Sequence, residues 1–199
     1  MDRRLYTLFL ALFLYSCAMN EPVPEDHYYK LPGTDRTVPQ NKVTDGGIFV
    51  EQFIADGLYR ERPMLYSIDS LGIDLQQYHY HHWVDSPSRM LRDRLIRYLA
   101  ASHAAASVTP SIDDSVQLTI HGTIKGFERR EYGHTDMVNV ELEFRVERIG
   151  SKTPVLQSLY RNQVDVNGRG INDVVIAFDE ALSRIFAALL SDLNEKLIN

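Results

Sequence analysis

Two stretches of strict alternation, Val116 to Phe127 and Met137 to Ile149, constrain this chain more than any other part of it. In the first, Val116, Leu118, Ile120 and Ile124 fall on one side, with Gln117, Thr119, His121, Thr123 and Lys125 on the other. The second sets Val138, Val140, Leu142, Phe144 and Val146 against Asn139, Glu141, Glu143, Arg145 and Glu147. A period of two is that of a strand with one buried face and one wet face. The polar segment between them, ERREYGHTD, reads as a hairpin loop, so the two strands are expected as antiparallel neighbours. Such a sheet needs something to cover its apolar side. The last stretch supplies it: Ile171, Val174, Val175, Phe178, Ala181, Leu182, Ile185, Phe186, Leu189, Leu193 and Leu197 form one stripe at helical spacing.

A second unit runs from Arg62 to Leu99. Met64, Tyr66 and Ile68 alternate with Leu65, and Ser70 to Gly72 carries turn chemistry. The next strand, Ile73 to Trp83, is crowded with rings. Strict alternation places Leu75, Gln77, His79, His81 and Trp83 on one side, and Gln76, Tyr78, Tyr80 and His82 on the other. Ser86 followed by Pro87 starts a helix, the hydroxyl as cap and the ring at the first helical position. Met90, Leu91, Leu95, Tyr98 and Leu99 make its apolar face, and Arg89, Arg92, Asp93 and Arg97 occupy most of the rest. An Ala/Ser-rich stretch ending in TPSIDD closes it. Further strands are expected at His27 to Leu31, at Gly47 to Leu58 with a bulge near Glu51 or Gln52, and at Thr153 to Val166, with a polar loop over 34–45. Together these predict a two-layer α/β domain over residues 27–199, with a mixed, mostly antiparallel sheet of five or six strands and two long helices on one face.

The first residues read as an address. Arg3 and Arg4 precede an apolar run, Leu5 to Tyr15, that is too short to span a bilayer. Leu14-Tyr15-Ser16-Cys17 resembles the lipobox of bacterial lipoproteins, in which the Cys is acylated and becomes the new N-terminus; Tyr15 stands where a small or β-branched residue is usual. Residues 1–16 are therefore expected as a signal peptide, Cys17 as the lipidation site, and 17–26, with two Pro and three acids, as a tether. Cys17 is the one cysteine of the chain, so the domain itself has no thiol for a disulfide. Three acyl chains exceed the two signals that stable anchoring requires. Ala18, rather than Asp, is what the sorting rule of such lipoproteins associates with the outer membrane.

Few residues suggest chemistry. His79 and His81 have an i, i+2 spacing that can chelate zinc or copper if a third ligand comes from elsewhere; aromatic strand packing accounts for the same residues. Gly168-Arg169-Gly170 before the last helix suits an anion at a helix N-terminus, or an ordinary strand-to-helix turn. The Glu141, Glu143, Glu147 row reads as a solvated sheet face rather than as paired catalytic carboxylates. There is no GxSxG, P-loop, GxGxxG or HExxH motif, and the net charge of −6 gives no electrostatic case for nucleic acid. These residues point to a binding or assembly component with no catalytic residue, metal or cofactor assigned.

Tyr28-Tyr29-Lys30-Leu31, Arg62-Pro63-Met64-Leu65-Tyr66 and the Tyr78 to Trp83 strand running into a helix carry a resemblance. With the lipobox and the amphipathic last helix, the chain resembles the ABC-type transport auxiliary lipoproteins of the PqiC/YmbA kind. The resemblance implies an outer-membrane lipoprotein on the periplasmic face that works with an ABC transporter or an MCE-domain protein. It further implies lipid or hydrophobic-compound traffic, a contribution to envelope integrity, and homo-oligomeric rings. The contact candidates are Tyr78, Tyr80, His82 and Trp83 on the strand, with Arg89 and Arg92 on the helix. Two other readings remain: a lipoprotein stabilising an outer-membrane β-barrel, and a His-dependent metal-binding periplasmic protein.

Overall fold

The computed structural model describes residues 24–33, 39–151 and 153–198. The signal segment 1–16, Cys17 and the tether up to residue 23 lie outside the described residues. In chain order the elements are β1 (His27–Tyr29), β2 (Gly47–Val50), β3 (Ile54–Ala55), β4 (Pro63–Ser67), β5 (Leu75–Trp83), α1 (Pro87–Ala101), β6 (Ser107–Thr109), β7 (Val116–Tyr132), β8 (Thr135–Arg148), β9 (Pro154–Asp165) and α2 (Ile171–Ile198). A 3-10 turn, Gly57–Arg60, separates β3 from β4. The expected mixed α/β architecture is present, but its sheet has nine strands rather than five or six.

β7 is the spine. Its whole length pairs antiparallel with β8, from Leu118 opposite Arg148 to Tyr132 opposite Thr135, and β8 pairs antiparallel with β9. The polar segment 128–136, expected as a loop, is therefore mostly strand, turning only at Gly133 and His134, where Gly133 takes φ of 60°. Side-chain pairing makes this extension possible. Glu128 is buried, and its carboxylate accepts hydrogen bonds from the Tyr59 hydroxyl (3.1 Å), Arg130 Nη2 (2.9 Å) and Asn139 Nδ2 (2.8 Å).

The other edge of β7 is lined in succession by β2, β3 and β4, all parallel to it, through Val50–Ile120, Ile54–Thr123 and Tyr66–Arg129. Where a bulge was expected, the chain leaves the ladder between Val50 and Ile54. Phe53 lies across Gly122, where a Cβ would come within 2.6 Å of the ring, and packs edge-on against Phe144 at 5.7 Å. Only the absence of a side chain at Gly122 allows that approach. From β4 the sheet continues antiparallel to β5 and then parallel to β1, while β2 pairs parallel with β6. The long ladders are antiparallel as expected, and five shorter pairings are parallel. β6 was missed because Ser107–Thr109 has no pattern of its own and is held by β2.

Both helices pack on one face, α1 against β2, β3 and β6 and α2 along β8 and β9, and they share one set of buried apolar side chains with the inward rows of β7 and β8. Ser86 stands at the α1 start, but its hydroxyl makes no cap and Pro87 alone carries the signal. The helices meet through a fully buried ion pair: Arg94 Nε donates to Asp179 Oδ1 at 2.8 Å, and Arg94 Nη2 donates to Ser183 Oγ at 2.9 Å. The same Asp179 oxygen accepts the Gly33 amide at 3.2 Å, which pins the segment leaving β1. Breaking such a pair strands a charge in the core, whereas replacing both partners with apolar residues of similar volume does not. Asp179→Ala should lower unfolding free energy by about 3–5 kcal/mol. The double variant Arg94→Met/Asp179→Leu should recover most of that loss in urea denaturation.

Candidate functional site

β5 brings its rings to the margin of the sheet, where only the three-residue β1 lies beyond it. The pairing is parallel, with His27 beside His81, Tyr28 beside His82 and Tyr29 beside Trp83. Strict alternation fails along β5. The register against β4 shifts between Pro63 and Leu65, and the extra residues lie in the 78–81 region. Tyr78 therefore joins His81 and Trp83 on the helix side instead of opposing them, its ring edge-on to His81 at 5.5 Å.

On that side the site is an aromatic cluster, partly buried, with His27 exposed at its rim. His27 stacks on His81 at 5.6 Å, and Tyr66 and Tyr78 lie 4.5 Å apart. The Tyr29 hydroxyl and His81 Nδ1 share a hydrogen bond of 3.0 Å. Tyr78 accepts a hydrogen bond from Arg129 Nη1 at 2.8 Å, and that guanidinium is held by Asp136 at 2.7 and 2.6 Å. Burial pushes the Tyr78 phenol up, against the opposing pull of Arg129. Burial first, then the neighbouring His27 and His82, holds His81 below the ordinary imidazole value.

The other side of the margin is open. Tyr28 is 56% exposed and Tyr80 44%. Arg62 stands over the Tyr28 ring at 5.3 Å and donates to the Trp83 carbonyl at 3.2 Å. His82 sits 3.5 Å from Asp26, with its ring 5.6 Å from Tyr28.

The six contact candidates thus separate. Tyr80 and Arg89 are well exposed and His82 is partly so, but Tyr78 is largely enclosed. Trp83 is 1% exposed and packs on Phe127 and Phe178 at 5.2 and 5.5 Å, so it shapes the margin from the core instead of presenting a surface. Arg92 lies along its neighbour Asp93 (2.7 Å), and Arg89 is bracketed by Asp85 (3.3 Å) and Asp93 (3.9 Å). These two arginines do not form a free basic stripe. Tyr28, Asp26 and Arg62 belong to the open surface and were not named as contacts from sequence; the pairing that brings Tyr28 beside His82 spans more than fifty residues and leaves no local signal.

Other features are settled in the same way. A groove of about 350 Å³ runs between the segment after β1 and α1, lined by Lys30, Leu31, Pro32, Val84, Asp85, Met90, Asp93 and Arg97. Its walls carry both signs of charge, so it can hold a side chain or small group. At the GRG turn the start of α2 is capped by its own Asp173, which accepts the Gly170 amide at 3.0 Å, so the anion position is filled from within. The glutamate row on β8 is paired with bases, Glu141 with Arg161 (2.7 Å), Glu143 with Lys125 (3.7 Å) and Glu147 with Arg145 (2.5 Å), as on a solvated sheet face. Among the described residues no group of three or more His, Cys, Asp or Glu is placed to hold a metal ion, and no helix is long and apolar enough to cross a membrane.

A family model described as the ABC-type transport auxiliary lipoprotein component matches residues 68–189. Three solved structures share the fold. A Xanthomonas campestris protein, 17% identical, aligns over 85% of this chain and 96% of its own with a TM-score of 0.72. An uncharacterized protein, 15% identical, aligns over 84% and 97% with a TM-score of 0.68. A hypothetical protein of Chlamydia trachomatis, 8% identical, aligns over 77% and 98% with a TM-score of 0.51. A comparison with the curated proteins finds no match.

The aromatic cluster has a pH signature. Folded His81 binds protons less readily than the unfolded chain does, so the unfolded state gains protons first as pH falls. Stability should be full above about pH 6.5, the ordinary histidine value, and decline as pH drops below it towards the lowered folded value. Thermal melts between pH 7.5 and 5 should show this decline, and His81→Phe should flatten it.

Proposed function

We propose an accessory role in transport across the envelope, because the chain belongs to the family of ABC-type transport auxiliary lipoproteins. In this reading Cys17 carries lipid, and the domain stands on the periplasmic face of the outer membrane as a non-catalytic component. Its partner is an MCE-domain protein or another component of an ABC transport system moving lipid or hydrophobic compounds, and its loss weakens envelope integrity. Association into a homo-oligomeric ring belongs to the same reading.

The single observation that carries the proposal is the family match over residues 68–189, which takes in β5, α1 and the whole β7–β9 ladder. The open side of the β1–β5 margin supports it further. Exposed Tyr side chains backed by a rigid cluster make a surface with little rotamer entropy to lose, which favours protein contact. β1 is a short edge strand with an Arg62–Tyr28 contact beside it, an edge on which another chain can add.

The unlipidated domain should retain the MCE or permease component encoded beside it in a pulldown. Tyr28→Glu and Tyr80→Glu should each weaken that binding by about tenfold or more, the scale of a buried aromatic anchor. Leu159→Glu, on β9 at the opposite edge, should not. Recovery of no transport component, or binding indifferent to both tyrosines, would sink the proposal.

A further inference from the structure

The loop between β4 and β5 holds three of the most exposed apolar side chains of the described residues within six positions: Ile68 at 56%, Leu71 at 72% and Ile73 at 78%. We propose that this loop seats Ile68, Leu71 and Ile73 in the headgroup region of the bilayer to which the chain is tethered. The inference rests on the reading of Cys17 as the lipidated residue.

The loop is built to hold its shape. The Asp69 carboxylate accepts hydrogen bonds from the amides of Leu71 (2.8 Å), Ile73 (3.0 Å) and Asp74 (2.8 Å), and from the Ser67 hydroxyl (2.8 Å). Gly72, at φ of 70°, lies against the Arg130 guanidinium, where a Cβ would come within 3.0 Å of it. A loop ordered in this way presents its apolar side chains without paying for that order on contact. Asp69 meets backbone donors, so its charge does not oppose the approach of an apolar phase as a bare carboxylate would.

Direction and reach select the bilayer as the occupant. β1 runs parallel to β5, so the chain preceding His27 enters from the β5 end that begins at Leu75, beside the loop. Ten residues separate Cys17 from His27, a span of up to ~33 Å when extended. From His81, the partner of His27, back to Leu75 is six residues, or ~20 Å along a strand. The described chain therefore enters β1 from the loop's side of the domain, and the reach from His27 back to Cys17 exceeds the distance to the tip.

Charge selects the kind of surface. Arg129 at this end is tied to Asp136 and Glu131, and Arg130 to Glu128, while Asp74 is exposed. These two bases beside the loop are already paired, so the loop's own contact should be apolar, should occur on zwitterionic lipid and should be indifferent to salt.

Cys17 is the only cysteine, so a protein beginning there, which keeps every described residue, can be coupled through that thiol to a maleimide lipid in phosphatidylcholine vesicles. Chemical coupling makes the result independent of whether cells acylate Cys17; mass spectrometry of the membrane-extracted protein reads that separately. With Leu71→Trp as reporter over the Trp83 background, emission should shift to the blue and be lost with brominated acyl chains, equally at low and high salt. Leu159→Trp, at the far edge of the sheet, should keep its emission, and adding Ile68→Ser and Ile73→Ser to Leu71→Trp should abolish the quenching. Water-like emission from tethered Leu71→Trp would overturn the inference. So would a blue shift without bromine quenching, which would mean that a second copy or another protein covers the loop.

Discussion

The buried pair of Arg94 and Asp179 holds the arrangement on which the rest depends. A charged pair in a core stabilises only when its geometry and its remaining hydrogen bonds are satisfied. Here Arg94 also reaches Ser183, and Asp179 also takes the Gly33 amide. One polar contact thus fixes three separate parts of the chain: α1, α2 and the segment leaving β1. Apolar packing alone would let the helices slide along the β7–β8 face, because it has no direction. The ion pair has direction, and it sets where β1 must leave the sheet edge. The aromatic margin stands where it does because the chain on one side of it is held by Asp179 and on the other by the start of α1.

A second constraint comes from β7, whose 17 residues are longer than any one strand beside them. Its β8 edge is satisfied by a partner of nearly equal length. Its other edge takes three short strands in turn, and every interruption has a cause in side chains. Phe53 needs the bare backbone of Gly122. The 3-10 turn lets Tyr59 reach Glu128. The first departure fills the core, and the second buries a glutamate among donors on the outer face of the sheet.

Much of this was legible from residue pattern, and the failures have identifiable sources. The alternation of β8 and the stripe of α2 appear in the structure where the sequence places them, since each depends only on burial against a single neighbouring layer. Segment 128–136 misled because its residues are polar, and polarity says loop only when the polar groups face water. Glu128 instead meets Tyr59, Arg130 and Asn139, and Arg129 meets Tyr78 and Asp136. β5 misled in a different way: alternation assigned Tyr78 away from Trp83, and a register shift reversed it. No local feature announces such a shift, because its cause lies in how β4 meets β5. Tyr28, the more exposed of the two open tyrosines of the margin, gains its place from a strand pairing across more than fifty residues.

In the proposed reading, with lipid on Cys17, the margin and the anchor end of the domain are coupled by geometry. β1 is at once an edge strand of the sheet and the first described strand of the chain, so a force on a lipid at Cys17 would be borne first by three residues of parallel pairing. Parallel ladders are slightly weaker per residue than antiparallel ones. What reinforces this one is side-chain contact: His27 on His81, Tyr29 to His81, Tyr28 on His82 and beneath Arg62. Of the rings that sequence reading assigned to partner contact, His82 therefore has a prior task, shared with His81 beside it, which is to hold β1 in the sheet. Only the groups left over from that task, the outer side of Tyr28 and the exposed Tyr80, are free to meet another protein. A partner that adds to this edge would extend the same ladder and strengthen the attachment it touches, so that binding and anchoring support each other through one strand.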